Sequence, residues 1–206
     1  MHIVISGNIG SGKTVLAERL AKHYNWIPEY EDVDHNPYLK DFYADMKTWS
    51  FHLQIYFLNS RFNQIKKIKK AKKTVVQDRS IYEDAYIFAA NLHESKMISD
   101  RDYKNYKNIF ESLITVVDPP DLLIYLRADI PKLVSQIQKR GRDYEDLIRL
   151  EYLKNLNKHY ENWIKDYKLG KLLIIDVNNL DFVENAEDLA FIIDRVDVEL
   201  YGLFSG

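Results

Sequence analysis

Cysteine is missing from the 206 residues, which excludes disulfides and thiolate metal sites and fits a reducing compartment. No apolar stretch approaches the roughly 18 residues that a membrane span needs. The chain enters an apolar segment directly, so no targeting segment is expected at its start. Charge of one sign is also lacking. Lys and Arg number 29 against 31 Asp and Glu, a net charge of −2, which gives no overall pull toward nucleic acid or an acidic membrane. There is no internal repeat, no low-complexity tract and no linker rich in Pro, Gly or Ser. At 46% hydrophobic and 29% charged, the chain is expected to be one globular domain over residues 1–206 with a single sizeable core, located in the cytoplasm.

What is present begins at the start of the chain. Ile3-Val4-Ile5 runs into Gly7-Asn8-Ile9-Gly10-Ser11-Gly12-Lys13-Thr14, the full G-x-x-x-x-G-K-T pattern, followed by apolar residues at helical spacing. A strand, a glycine loop and a helix are the context of a phosphate-binding loop. Glycines let successive N–H groups converge on one anion, and the helix start adds the positive end of its dipole. Lys13 supplies a point charge for the β- and γ-phosphates, and Thr14 a hydroxyl for Mg²⁺. This segment points to a nucleoside triphosphate.

Further apolar runs at 74–77, 122–126 and 172–175, with a brief extended segment at 26–30, read as strands. They are continuous rather than alternating, as expected of parallel strands covered on both faces. Helical patterns over roughly 12–24, 47–68, 81–93, 99–116, 130–139, 144–166 and 184–199 separate them. Alternation of this kind predicts an α/β fold, a three-layer sandwich with a five-stranded parallel sheet. The long helix at 47–68 is apolar on two sides, which suits burial between layers or between subunits. Its tail, Lys66 to Lys73, holds six lysines and reads as a solvated helix end rather than a nucleic-acid patch.

In such a sheet ligands sit beyond the carboxyl ends of the strands. Four segments arrive there. After the second strand, the acidic stretch Glu29-Tyr30-Glu31-Asp32-Val33-Asp34 offers a carboxylate to take a proton from an attacking hydroxyl. After the third, Asp78 suits Mg²⁺ and Arg79 the charge of a transferring phosphoryl group. Lys139-Arg140-Gly141-Arg142 has the charge and hinge of a closing lid, placed around 138–145. After the last strand, Asp181 and Phe182 lie where a donor base could rest. A switch GTPase is disfavoured, because its N-K-x-D is absent and Asp78-Arg79-Ser80 stands where D-x-x-G is expected.

Taken together, these residues resemble the deoxyribonucleoside kinases over nearly the whole chain. The matching pieces come in order: the phosphate loop; Glu31-Asp32-Val33 for the family's E-P-V; Tyr43; Trp49 and Gln54; Asp78-Arg79-Ser80 for (D/E)-R-S; Asp84; Arg140-Gly141-Arg142; and Leu150-Glu151-Tyr152-Leu153. Asn36-Pro37-Tyr38-Leu39 with Phe42-Tyr43 is similar to the bacterial deoxyadenosine/deoxyguanosine branch. The resemblance implies a P-loop kinase fold, transfer from ATP·Mg²⁺ to a deoxynucleoside 5′-hydroxyl, a homodimer, and no nucleic-acid or membrane partner.

It also implies roles. Glu31 would accept the 5′-hydroxyl proton, although some descriptions of the family give that role to the carboxylate at Asp78. Tyr43 and Glu151 would hold the 3′-hydroxyl and Gln54 the base edge. Arg79 would sit near the 5′-oxygen, Phe88 in the nucleoside site, and Arg61 with Asp84 over the base. An Arg–Asp pair suits adenine, guanine or cytosine better than thymine. Phe57, one turn after Gln54, would trim the pocket or stack on a purine. Two departures stand out: Asp32 replaces the proline, which keeps Glu29 as a reserve base, and Asn36 replaces an aromatic wall. Two other readings stay open, a nucleoside monophosphate kinase and a catalytically silent nucleotide-binding protein.

Overall fold

A computed structural model of the chain describes residues 1–31, 33, 35–142 and 145–202. Asp32 and Asp34 of the acidic stretch, and Asp143 and Tyr144 of the expected lid, lie outside the described residues. Five parallel strands form one sheet: β1 (His2–Gly7), β2 (Ile27–Glu29), β3 (Val75–Asp78), β4 (Leu122–Arg127) and β5 (Lys171–Asp176), in the order β2-β3-β1-β4-β5. β1 is central. Its Ile5 lies opposite Asp78 on one side and Ile124 on the other, so the end of β1 and the end of β3 open side by side.

Alternation along β1 divides the core. Ile3 and Ile5 pack with Leu16, Leu20 and Ile192 from α1 (Lys13–Tyr24) and α9 (Ala186–Tyr201), with Leu133 of α7 (Ile130–Arg140) in the same layer. Val4 faces the other way, toward Leu53 and Phe57 of α3 (Met46–Ile68) and Leu156 and Tyr160 of α8 (Leu150–Lys165). A third cluster joins Leu58 and Ile65 of α3 to Ile81 and Tyr82 of α4 (Ile81–Glu83) and to Tyr106 and Phe110 of α6 (Asp100–Ile114). The two apolar sides of α3 are thus both used within the chain. Each such side chain, taken fully out of water, contributes about 1.5–3 kcal/mol. The lysines from Lys66 to Lys73 are exposed, as a solvated helix end should be.

Three elements differ from the sequence reading. α2 (Leu39–Ala44) was not expected, because six residues are too short to show a helical period; Leu39 and Phe42 are its buried residues. The helix expected at 81–93 is α4, a π-helical turn (Asp84–Ala89), and α5 (Ala90–Glu94). A π turn inserts slack into the i→i+4 ladder and often marks a functional site, and here it carries Asp84 and Phe88. The helix expected from 144 starts at Leu150, after a short 3₁₀ turn (Glu145–Leu147) in which Glu145 is buried.

Candidate active site

The phosphate loop joins β1 to α1, and its glycines are required by geometry. Gly12 has φ 93°, and a Cβ there would sit 2.6 Å from the Phe182 ring; one on Gly10 (φ 87°) would meet the Leu133 carbonyl at 2.7 Å. Asn8 ties the loop to α8 by donating to the Leu153 carbonyl and to Asn157 Oδ1, each at 3.1 Å. Its backbone oxygen accepts from Lys13 Nζ at 2.9 Å. Burial, together with the neighbouring Arg79 charge, lowers the Lys13 ammonium to about 8, against the pull of Asp78 and Glu31.

A cavity of about 500 Å³ opens over this loop, and Lys13, Thr14, Glu31, Asp78 and Arg79 all line it. Lys13 and Glu31 therefore converge on one cleft. Thr14 Oγ1 donates to Asp78 Oδ2 at 2.5 Å, while Asp78 Oδ1 is buried without a partner. A hydroxyl and a carboxylate with a spare lone pair fit Mg²⁺, which keeps several waters and takes the rest of its ligands from phosphates. Arg79 is held in the left-handed region (φ 66°) by its N–H bond to the Ile5 carbonyl at 3.0 Å. The next residue, Ser80, gives its N–H to the buried Glu83 at 2.9 Å, and Tyr160 of α8 donates to the same carboxylate at 3.0 Å. That strained turn aims the guanidinium over the Phe88 ring, 4.3 Å from its centroid.

Glu31 receives Arg79 Nη1 at 2.8 and 3.2 Å and Arg61 Nη2 at 2.6 Å. Burial opposes its ionisation. The Arg79 and Arg61 charges, with Lys13 and Arg142 behind them, outweigh that and hold its carboxyl below the usual range. The other end of Arg61 reaches Asp84, Nε to Oδ2 at 3.2 Å. Here burial wins and pushes Asp84 up to about 7. Two carboxylates flanking one guanidinium are thereby set apart, one ionised and one ready to hold a proton. Gln54 stands nearby with a buried Oε1 lacking a partner, and Arg79 Nε is likewise unmet. Buried polar atoms without partners are rare in folded proteins, and these three (Gln54 Oε1, Asp78 Oδ1, Arg79 Nε) belong to residues that surround the same cavity.

Tyr43, Phe57, Phe88, Arg140 and Arg142 also line it. Glu145, which the sequence reading missed, binds Arg140 through both of its oxygens and lies 3.9 Å from Arg142, so a buried carboxylate holds both arginines beside the cavity. Tyr152 was missed too. It lines the cavity, whereas its neighbour Glu151 is exposed and faces an adjoining groove with Met46 and His159. Asp181 and Phe182 are also outside. Phe182 is core packing beneath Gly12, and both border a small separate cleft behind the loop. The reserve base Glu29 lines another surface groove, not the cavity.

With this geometry in place, comparison with known proteins decides the family. The model of the deoxynucleoside kinases matches residues 3–200. The chain belongs to the deoxynucleoside kinase family. It is 40% identical to a deoxyadenosine/deoxycytidine kinase of Bacillus subtilis over 94% of this chain and 90% of that protein. It is 44% identical to a deoxyadenosine kinase of Dictyostelium discoideum over 89% of this chain and 74% of that one. A solved deoxyadenosine kinase from M. mycoides with bound dATP superposes with a TM-score of 0.85 at 31% identity, covering 96% of this chain and 99% of the other.

The chain thus presents one carboxylate held below the usual range, Glu31, and one pushed up to about 7, Asp84, at either end of Arg61. The raised Asp84 has a stability consequence. The native state binds a proton there that the unfolded chain has lost, so this group's contribution to stability falls as pH rises from about 4 to about 7. Asp84→Asn removes that slope. Urea unfolding of both proteins across this range should show the unmodified protein losing ground to D84N as pH rises, and parallel profiles would mean that Asp84 titrates normally.

Proposed function

We propose that this kinase transfers the γ-phosphoryl group of ATP to the 5′-hydroxyl of a deoxyribonucleoside, deoxyadenosine foremost, in nucleotide salvage. The observation that carries the reading is the shared cavity of Lys13 and Glu31. Lys13 and the loop N–H groups face the donor's phosphates. Glu31, ionised and largely buried, stands ready to accept the hydroxyl proton once the nucleoside draws it from one of its arginines. Arg79 is free at Nε to meet charge that builds on the transferring group. Mg²⁺, held at Thr14 and Asp78, would neutralise β- and γ-phosphate oxygens. Arg140 and Arg142 would leave Glu145 for the donor's phosphates as the lid closes and water is excluded. Asp78 remains a second candidate for the proton, since its Oδ1 has no partner.

At the base, Gln54 offers an unmet acceptor, which matches an amino group on adenine or cytosine; Arg61 and Asp84 add donors and acceptors around it. Thymine has no exocyclic amino group and would bring a methyl group to a polar wall. The names of the relatives, deoxyadenosine kinases and a deoxyadenosine/deoxycytidine kinase, support the same preference. A monophosphate acceptor is disfavoured because Glu31 would repel its phosphate. The chain would act as one domain, in the cytoplasm, as a homodimer.

Turnover tests the chemistry directly. Glu31→Gln should lower kcat with deoxyadenosine by about 10²–10⁴-fold, and in the unmodified protein thymidine should be a poor substrate beside deoxyadenosine. Near-normal turnover of E31Q would remove Glu31 from the reaction. For assembly, light scattering at micromolar concentration should give twice the chain mass of 24.4 kDa; a value equal to one chain would rule out the dimer.

A further inference from the structure

Gln64 has no part in the reaction as described, yet two of its three side-chain hydrogen bonds lead to the site. It lies on α3 one turn after Arg61 and is 7% exposed. Its Oε1 accepts from Arg61 Nη1 at 3.1 Å and from Gln77 Nε2 at 3.0 Å, and its Nε2 donates to the Tyr30 carbonyl at 2.6 Å. A guanidinium can only donate and a carbonyl can only accept, so the amide has one possible orientation. The same logic passes through the sheet. Gln77, with its NH₂ toward Gln64, turns its oxygen to His2 Nε2 at 2.8 Å, and that ring nitrogen must carry hydrogen.

One amide therefore grips two parts of the machinery. Arg61 is the guanidinium shared by Glu31 and Asp84, at the base end of the cavity. Tyr30 is the residue before Glu31, in a stretch beyond β2 that has no ladder of its own. We propose that Gln64 is a positioning residue: it sets base discrimination by fixing the plane of Arg61, and it sets turnover by holding the Tyr30–Glu31 backbone. This rests on the deoxynucleoside-kinase reading given above. Arg61 donates through Nε to Asp84, through Nη2 to Glu31, and through Nη1 to both Gln64 and the Asp78 carbonyl. Removing Gln64 leaves Nη1 one partner and frees the fork to tilt toward a thymine carbonyl. If Gln64 only filled space between α3 and the sheet, an apolar side chain of the same length would serve as well.

The test compares kcat and KM for deoxyadenosine and thymidine in the unmodified protein, Gln64→Met, Gln64→Glu, Arg61→Lys and the Q64M/R61K double variant, at pH 8, with thermal unfolding alongside. Q64M keeps the length and removes every hydrogen bond. It should lower kcat and cut the deoxyadenosine-to-thymidine ratio of kcat/KM by about tenfold, within the range of couplings between contacting residues. Q64E keeps an acceptor for Arg61 but sets a carboxylate against the Tyr30 carbonyl, so the ratio should hold while kcat falls. In the R61K background, which keeps the charge but loses the planar fork, Q64M should leave the ratio unchanged. An unaltered ratio in Q64M, or the same fold-loss in both backgrounds, would overturn the assignment. Should Q64M fail to fold, Q64E decides, and a changed ratio there overturns it. An unmodified protein that phosphorylates no deoxynucleoside would overturn the kinase reading, and this inference with it.

Discussion

Glu31 is a largely buried carboxylate kept charged by two buried guanidiniums, and the rest of the site is arranged around that fact. An ion pair buried to this degree is costly to assemble, and removing one partner typically destabilises by about 3–5 kcal/mol because a charge is left uncompensated. Arg61 comes from α3, Arg79 from the end of β3 and Glu31 from beyond β2. The cluster holds three separate segments at the carboxyl edge of the sheet. It also favours the ionised form of that carboxylate.

The strained backbone at Arg79 follows from the same need. β3 must deliver Asp78 to Thr14 and then turn sharply enough to send Arg79 across to Glu31 and Phe88. Arg79 makes that turn in the left-handed region, and such a conformation persists where its surroundings over-determine it. Here the surroundings are the Ile5 carbonyl before it and the Ser80–Glu83–Tyr160 bonds after it. Burial raises the Glu83 carboxyl despite Arg79 nearby.

Much of this was readable beforehand, and the reasons are local. The phosphate loop is written in adjacent residues, and continuous apolar runs separated by helical periods identify a parallel sheet covered on both faces. The ends of those strands then pointed to Glu31, Asp78 and Arg79. What escaped notice depends on distant packing. Glu145 and Gln64 are ordinary polar residues in sequence and gain meaning only from the arginines beside them. The π turn at Asp84–Ala89 has no signature in hydrophobic spacing. Glu151 and Tyr152 are adjacent on α8, and only the packing of that helix shows that the tyrosine, not the acid, borders the cavity. Asp181 and Phe182 follow a strand end as a site residue would, but the Phe182 ring is committed to supporting Gly12.

On the proposed mechanism, donor and acceptor meet in one cleft, between Lys13 and Glu31. A bisubstrate molecule, deoxyadenosine joined 5′ to 5′ with adenosine through an oligophosphate bridge, tests that most directly by inhibition kinetics. If the cleft is shared, the molecule competes with both ATP and deoxyadenosine. Competition with one substrate alone, while the other still binds alongside, would contradict it.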